Sequence, residues 1–213
     1  MHKAVYSNQL MSLFKQLDKR LITKFYNFNF PPGQFDIVAM GGTALGLLNL
    51  KQVSKDIDLF IQIGSMKNIA PNENAIEVAE RLANFIREHF DGSEEIGIDV
   101  SYEGIRGWNL MGFKVRTCGY FEFDCFKLYI LHPLDLCITK VPRFSPEDTT
   151  DIEVAIKFSD ATPVQLERRF YEYLNQLRNP REVEISRANF EKLKAINSQF
   201  SPNPRRWWQF WRW

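Results

Sequence analysis

Two aspartates one residue apart, Asp56 and Asp58, open the apolar run Asp-Ile-Asp-Leu-Phe-Ile-Gln-Ile over 56–63. Such a run predicts a strand, and Gly64 closes it. Alternate side chains share a face of a strand, so the two carboxylates stand on one side, about 7 Å apart along it. A solvated strand face tolerates such a pair. Here Ile57, Leu59, Phe60 and Ile61 predict a buried strand, and two like charges beside a core are costly unless a cation joins them. Carboxylate oxygens suit Mg²⁺, which takes one or two of them plus substrate phosphates.

Upstream lies Gly41-Gly42-Thr43, between a predicted strand and a predicted helix. Backbone without a Cβ can come close to an anion, N–H groups at a helix start can point at it, and Thr43 adds a hydroxyl. Two other phosphate motifs fail. A P-loop needs Gly-Lys after its four-residue gap, but Leu47 follows Gly46. The dinucleotide fingerprint needs a second Gly where Thr43 stands. His2, His89 and His132 are scattered, and Cys118, Cys125 and Cys137 are odd in number with no C-x-x-C pair. A disulfide framework, a zinc ribbon or a His-based site therefore has no support, and reduced core thiols are expected.

The elements that must position these residues follow from periodicity. Residues 8–26 predict an amphipathic helix, with Leu10, Leu13, Phe14, Leu17, Leu21 and Phe25 three and four apart. Phe35–Met40 predicts a strand and Thr43–Leu50 a short buried helix. Asn72–Phe90 predicts a second amphipathic helix, capped by Asn72 or Asn74. Ile96–Tyr102, Phe113–Thr117 and Tyr120–Ile130 predict three strands, the last two a hairpin across Cys118-Gly119. Helices are then expected over 134–140, 145–158, 162–177 and 186–196. The order argues an α/β (α+β) fold: a small mixed β-sheet flanked by helices, with a helical C-terminal part. The expected organisation is a domain over 1–160, helices over 161–200 and a tail over 201–213.

The chain has 213 residues, 45% hydrophobic and 25% charged, enough to bury a core. A net charge of +1 predicts neither a nucleic-acid-coating protein nor an acidic solvating one. Charge is uneven, however: Arg205-Arg-Trp-Trp-Gln-Phe-Trp-Arg-Trp213 holds three Arg, no acid and four of the five Trp. That tail suits a membrane interface, single-stranded nucleic acid or a protein surface; folding back on its own domain is the bland alternative. No apolar run is long enough to span a membrane, and the N-terminal residues have no signal-peptide pattern, so a cytoplasmic protein is expected.

Gly-Gly-Thr-Ala-Leu, followed by Lys51-Gln-Val-Ser-Lys-Asp-Ile-Asp-Leu59, resembles the nucleotidyltransferase superfamily of DNA polymerase beta. Within it, the chain resembles the AbiEii-like branch, toxins of type IV toxin–antitoxin systems and their relatives. Lys51 stands where that branch commonly has Arg. A second block, His132-Pro-Leu-Asp-Leu-Cys-Ile-Thr-Lys140-Val-Pro-Arg143 and then Asp148-x-x-Asp151-Ile, resembles the same branch. The resemblance covers about residues 36–158.

It implies Mg²⁺-dependent (or Mn²⁺-dependent) transfer of a nucleotide unit from an NTP to an acceptor hydroxyl, on an RNA such as tRNA or on a protein, with an antitoxin as a further partner. The chemistry agrees with two-metal logic: metal-bound carboxylates align the acceptor and stabilise the leaving group. A third carboxylate normally completes such a site. Asp99, in Ile96-Gly-Ile-Asp-Val100, is the first candidate and Asp124 the rival. Asp56, Asp58, Asp99, Lys140 and Asp151 are then the catalytic candidates. Gly41, Gly42, Thr43, Ser54, Lys55 and Arg143 are the nucleotide-binding ones. Lys140 and Arg143 could share a helix face toward phosphates, although Pro142 disturbs that helix. Ser145-Pro-Glu-Asp148 reads as a helix start, which makes Asp148 structural. Two other functions stay open: a degenerate binding module on this fold, and an interaction protein acting through the tail.

Overall fold

A computed structural model describes residues 3–26, 35–62, 74–93, 95–102 and 116–199. The predicted strand residues 113–115 and the tail at 201–213 lie outside them. The chain divides into two compact units, Met1–Leu131 and His132–Trp213. That division falls before the expected boundary at 160.

In the first unit, β1 (Val5–Tyr6) leads into the helix α1 (Ser7–Tyr26), and then β2 (Phe35–Ala39), α2 (Gly41–Leu47), β3 (Val53–Ser54) and β4 (Asp56–Gln62) follow. The helix α3 (Ala75–Arg87) ends in a π-helical turn, Glu88–Ser93, and β5 (Gly97–Tyr102), β6 (Thr117–Glu122) and β7 (Phe126–Leu131) complete the unit. Five strands form a mixed sheet in the order β5-β4-β2-β7-β6, while β1 and β3 pair separately. β4 runs parallel to β5 and antiparallel to β2; β2 runs parallel to β7.

The period of two along β4 decides its faces. Ile57, Leu59 and Ile61 join the core with Ile37 and Ala39 of β2 and Val100 of β5. Leu10, Phe14, Leu17 and Leu21 of α1 and Ala79, Leu82 and Ile86 of α3 belong to the same core, as their three-and-four spacing predicts. Phe14 meets Phe90 edge to face at 6.3 Å. Asp56 and Asp58 therefore share the opposite sheet face, as expected.

The hairpin turns at 123–125, between β6 and β7, rather than at Cys118-Gly119. A carboxylate explains it. Asp18, buried on α1, accepts the backbone N–H of Asp124 (3.3 Å) and of Cys125 (2.8 Å). Phe123 stacks on Phe126 with centroids 4.7 Å apart. Alternation runs through such a turn, because the flanking Phe residues keep the apolar signal going.

The second unit consists of α4 (Pro133–Lys140), α5 (Pro146–Ser159), α6 (Pro163–Leu174) and α7 (Pro180–Ser198). All four begin with Pro just inside the helix, where its missing N–H costs nothing. α7 begins at Pro180, behind an Asn179 cap, rather than at Ser186. Phe170 and Phe190 stack with centroids 3.8 Å apart, joining α6 to α7. Arg169 forks onto Asp135 at 2.7 and 2.6 Å, joining α6 to α4. Both side chains of that pair are buried. Among the described residues no helix is long and apolar enough to cross a membrane.

Breaking the fork strands a charge. Asp135→Ala is expected to cost about 3–5 kcal/mol in urea denaturation, because Arg169 loses its buried partner. Asp135→Leu combined with Arg169→Met is expected to recover most of that loss; a double variant as unstable as the single one would show that the pair itself is not what matters.

Candidate functional site

Asp58 is bound to the start of α2 at three atoms. Its carbonyl accepts the Met40 N–H at 2.9 Å. Its own N–H donates to Thr43 Oγ1 at 2.8 Å. Its Oδ2 accepts the Gly42 N–H at 3.1 Å. Gly41 turns the chain with φ +47, the left-handed region that favours glycine. A Cβ on Gly41 would fall 2.0 Å from Asp58 Oδ2, so glycine makes room for the carboxylate.

Gly42 is constrained differently. A Cβ there would fall 2.2 Å from Ser54 Oγ. The Cβ sides of both glycines thus face groups of the chain itself, Asp58 and Ser54. Thr43 is wholly buried and Ser54 nearly so. Both contacts have one cause: the turn packs against β3 and β4. Lys51, the position where the family commonly has Arg, comes closest of the basic groups, with Nζ 3.7 Å from that Gly42 Cβ point. Lys55 is exposed.

Register separates Asp99 from Asp124 in space. Asp99 is the Cα partner of Asp58 in the parallel β4/β5 ladder. Partners in a parallel ladder present their side chains to the same face, with strands about 4.8 Å apart. Asp124 sits in the β6–β7 turn, its N–H given to Asp18. Asp56, two residues before Asp58, faces the same way. Asp58 is half-buried, and Asp56 and Asp99 are exposed.

The second group of candidates forms its own cluster in the helical unit. Lys140 ends α4, and its ammonium lies 2.9 Å from Asp148 and 3.0 Å from Asp151. Arg143, beyond the break at Pro142, forks onto Asp148 at 2.8 and 2.7 Å. Asp148 also closes the capping box with Ser145, the helix-start role read from its spacing. Burial alone would raise the Asp148 carboxyl, but Arg143, Lys140 and Ser145 together outweigh it and hold it well below the usual carboxylate range. Lys140 is likewise opposed by burial, yet its carboxylate partners keep its pKa raised. Lys140 is therefore a buried ammonium with two carboxylate partners.

Nucleophilic thiol chemistry is disfavoured. Burial pushes Cys118 up to about 11 and Cys125 up to about 12, so neither supplies thiolate near neutrality.

Asp18, Asp135 and Arg169 were not among the residues singled out by spacing. A signal for Arg169 exists: it stands on the buried stripe of Leu166, Phe170 and Tyr173, where an arginine demands a buried acid.

Among solved structures, the chain is similar to an antigenic nucleotidyltransferase-like protein from Paracoccidioides brasiliensis. The two share 13% identity over 94% of this chain and 97% of that one, with a TM-score of 0.42. No protein-family model matches the chain, and no curated protein matches it. Likeness at that level leaves the functional reading to the chain's own residues.

Two outcomes follow from these contacts. Gly42→Ala is expected to destabilise the first unit by about 1–3 kcal/mol through overpacking. Ser54→Gly in the same chain is expected to restore much of the midpoint, since it removes both atoms that the new methyl meets. For Asp148, the lowered folded pKa makes its contribution complete above the unfolded carboxyl's value. It is lost as pH falls below about 4 toward the folded value. Asp148→Asn is expected to flatten that acid slope, read from denaturation midpoints between pH 6 and pH 2, and to cost about 3 kcal/mol at neutral pH, because the buried Lys140 ammonium loses one of its two carboxylate partners. An unchanged slope would remove Asp148 from the acid-sensitive set.

Proposed function

We propose that this protein is a nucleotidyltransferase that moves a nucleotide unit from an NTP to an acceptor hydroxyl, with Mg²⁺ as its cofactor and Asp56, Asp58 and Asp99 as its carboxylates. The observation that carries the reading is the registered pair, Asp58 beside Asp99 on one sheet face, with Asp58 fixed by the Gly-Gly-Thr turn. The acceptor is an RNA such as tRNA, or a protein hydroxyl. A toxin-like role rests on the sequence motifs alone.

The donor set fits a hard divalent cation, since all three groups offer carboxylate oxygens on one face. Among the described residues, no three His, Cys, Asp or Glu side chains are gathered closely enough to hold an ion by themselves. Substrate phosphate oxygens are therefore needed to complete the shell, the usual situation for Mg²⁺. When bound, the ion neutralises phosphate charge and lines up the reacting oxygens.

The chain's own groups do the rest. Asp58, immobilised by α2, sets the position of the nucleotide-bearing end. Asp99, exposed on the neighbouring strand, takes the proton of the acceptor hydroxyl on its carboxylate. The acceptor oxygen forms a bond to the α-phosphorus, the bond to the bridging oxygen breaks, and pyrophosphate departs with that electron pair. Lys140 and Asp151 hold each other and Asp148 in the helical unit, and this reading needs no transfer step from them.

Incubation with labelled NTPs, Mg²⁺ and total RNA or total protein tests the proposal. Wild type is expected to label an acceptor. Asp58→Asn and Asp99→Asn are each expected to lower labelling by about a hundredfold or more, while Asp124→Asn leaves it unchanged. Full labelling by the Asp58 or Asp99 variant would reject the assignment. NTP binding without transfer to any acceptor would instead favour a binding module on the same sheet.

A further inference from the structure

We propose that the outer face of α1 is a docking surface for the phosphate backbone of a nucleic acid, carried by Lys15, Lys19 and Arg20. The surface stands apart from the transfer reading above, since a chain that only bound nucleic acid would use it equally.

The two sides of α1 differ sharply. Leu13, Phe14, Leu17 and Leu21 belong to the core together with Ile57 and Leu59, so the helix packs on the sheet face opposite Asp58. The other side carries Ser12, Lys15, Gln16, Lys19 and Arg20, all exposed. The helix holds a single acid, Asp18. That acid is buried, with its carboxylate oxygens on the Asp124 and Cys125 N–H groups. Among the described residues none of the three cations makes an ion pair; surface pairs such as Lys3 with Glu95 and Lys194 with Glu191 lie elsewhere.

This arrangement works against the helix on its own. Lys15 and Lys19 are four residues apart, as are Arg20 and Lys24, and like charges at that spacing repel across one turn. Lys24 is explained within the chain. It sits in the last turn, where the peptide dipoles favour a cation, and it lies over the Phe85 ring at 5.4 Å. Lys15, in the middle of the helix, has neither support. A partner with regular negative charge turns the repulsion into attraction. The net charge of +1 hides this patch, because it averages over the whole chain.

The chemistry of the face selects among anionic partners. A helix lying on a membrane sinks an apolar side into the lipid. Here that side is taken up by the core, and among the described residues the outer side has no exposed large apolar group. Protein interfaces are anchored by aromatic and apolar groups and are poor in Lys, which this face does not match either. Hydroxyl and amide groups beside Lys and Arg suit phosphate and sugar oxygens, contacts that hold a backbone without reading its sequence. Lys15 and Arg20 are about 7.5 Å apart along the helix axis, a length over which a duplex bears about four negative charges.

Fluorescence anisotropy on the full chain tests the surface, with a labelled RNA duplex of about 16 base pairs at several salt concentrations. Wild type is expected to bind with an affinity that falls steeply as salt rises. The triple variant Lys15→Gln, Lys19→Gln, Arg20→Gln is expected to bind about tenfold or more weakly, with the log–log salt slope flattened by about one per charge removed. Its melting temperature is expected to stay level or rise, because Gln matches Lys and Arg in helix propensity and the like-charge repulsion is gone. A melting temperature that falls along with binding would mark a structural role and overturn the surface. Arg187→Gln removes an exposed cation of α7 and is expected to bind like wild type, while Lys15→Gln alone binds more weakly. Equal loss in those two would reduce the effect to net charge and overturn the surface. RNA binding equal in wild type and the triple variant would overturn it as well, and loss of phosphatidylserine-vesicle binding by that same variant would then assign the face to a membrane. Asp58→Asn is expected to bind the duplex like wild type, so failure of the docking surface leaves the proposed function standing, and failure of the transfer assay leaves the surface standing.

Discussion

Asp58 is where the sheet and the α2 helix are joined, and much of the first unit follows from that junction. α2 spans seven residues, Gly41–Leu47, and its N-cap Met40 offers no side-chain bond. A helix so short has little stability of its own. The acceptor missing at its cap is supplied from β4 instead, as Asp58 Oδ2 receives the Gly42 N–H. A negative carboxylate at a helix start is also favoured by the aligned peptide dipoles. The same contact therefore stabilises the helix and orients the acid. β5 lies beside β4 in fixed register, so placing Asp58 also places Asp99.

The helical unit organises its charges in a contrasting way. There, buried ions are matched to one another within the unit. Arg169 takes both oxygens of Asp135, and Asp148 receives Lys140, Arg143 and the Ser145 cap at once. Such clusters contribute modestly to net stability, because desolvation offsets attraction. They are strict about geometry, since removing one member strands the others. Lys140 and Asp151 read as catalytic candidates in the sequence, and Asp148 as a helix-start acid. In three dimensions they are partners of each other, and the end of α4 and the first turns of α5 are held together through them.

Local signals with a direct physical cause were legible in the sequence. Asn74 caps α3 and Ser145 caps α5, each a short polar reach to an N–H a few residues on. The sharing of one face by Asp56 and Asp58 follows from the strand period. Asp99 is the first candidate for the third carboxylate as a central acid on the strand after the helix; that it stands beside Asp58 appears only in the parallel register. Other features depend on partners distant in sequence. The turn at 123–125 is set by Asp18, more than a hundred residues earlier, so no window around it contains the cause. The filling of the glycine turn by Ser54 and Asp58 is invisible for the same reason: Gly-Gly states that something comes close, not what. The start of α7 differs, because Asn179-Pro180 is a readable helix start that precedes the first strongly apolar positions.

The three carboxylates of the proposed site are held to different degrees. Asp56 and Asp99 are exposed on their strands; Asp58 alone among them bonds to the α2 turn through backbone and side chain together. Changing Asp99 therefore alters chemistry at a solvated position, whereas changing Asp58 also removes the acceptor that caps α2. An Asn at 58 keeps an oxygen for the Gly42 N–H and discards only the charge, so it separates the two roles where Ala merges them. The asymmetry suits a transfer site in which one acid must be stationary and another must exchange a proton with an arriving hydroxyl. In the proposed reaction, a fixed carboxylate would give a cation a defined position, and an exposed one would give the proton a route to water once the product has left.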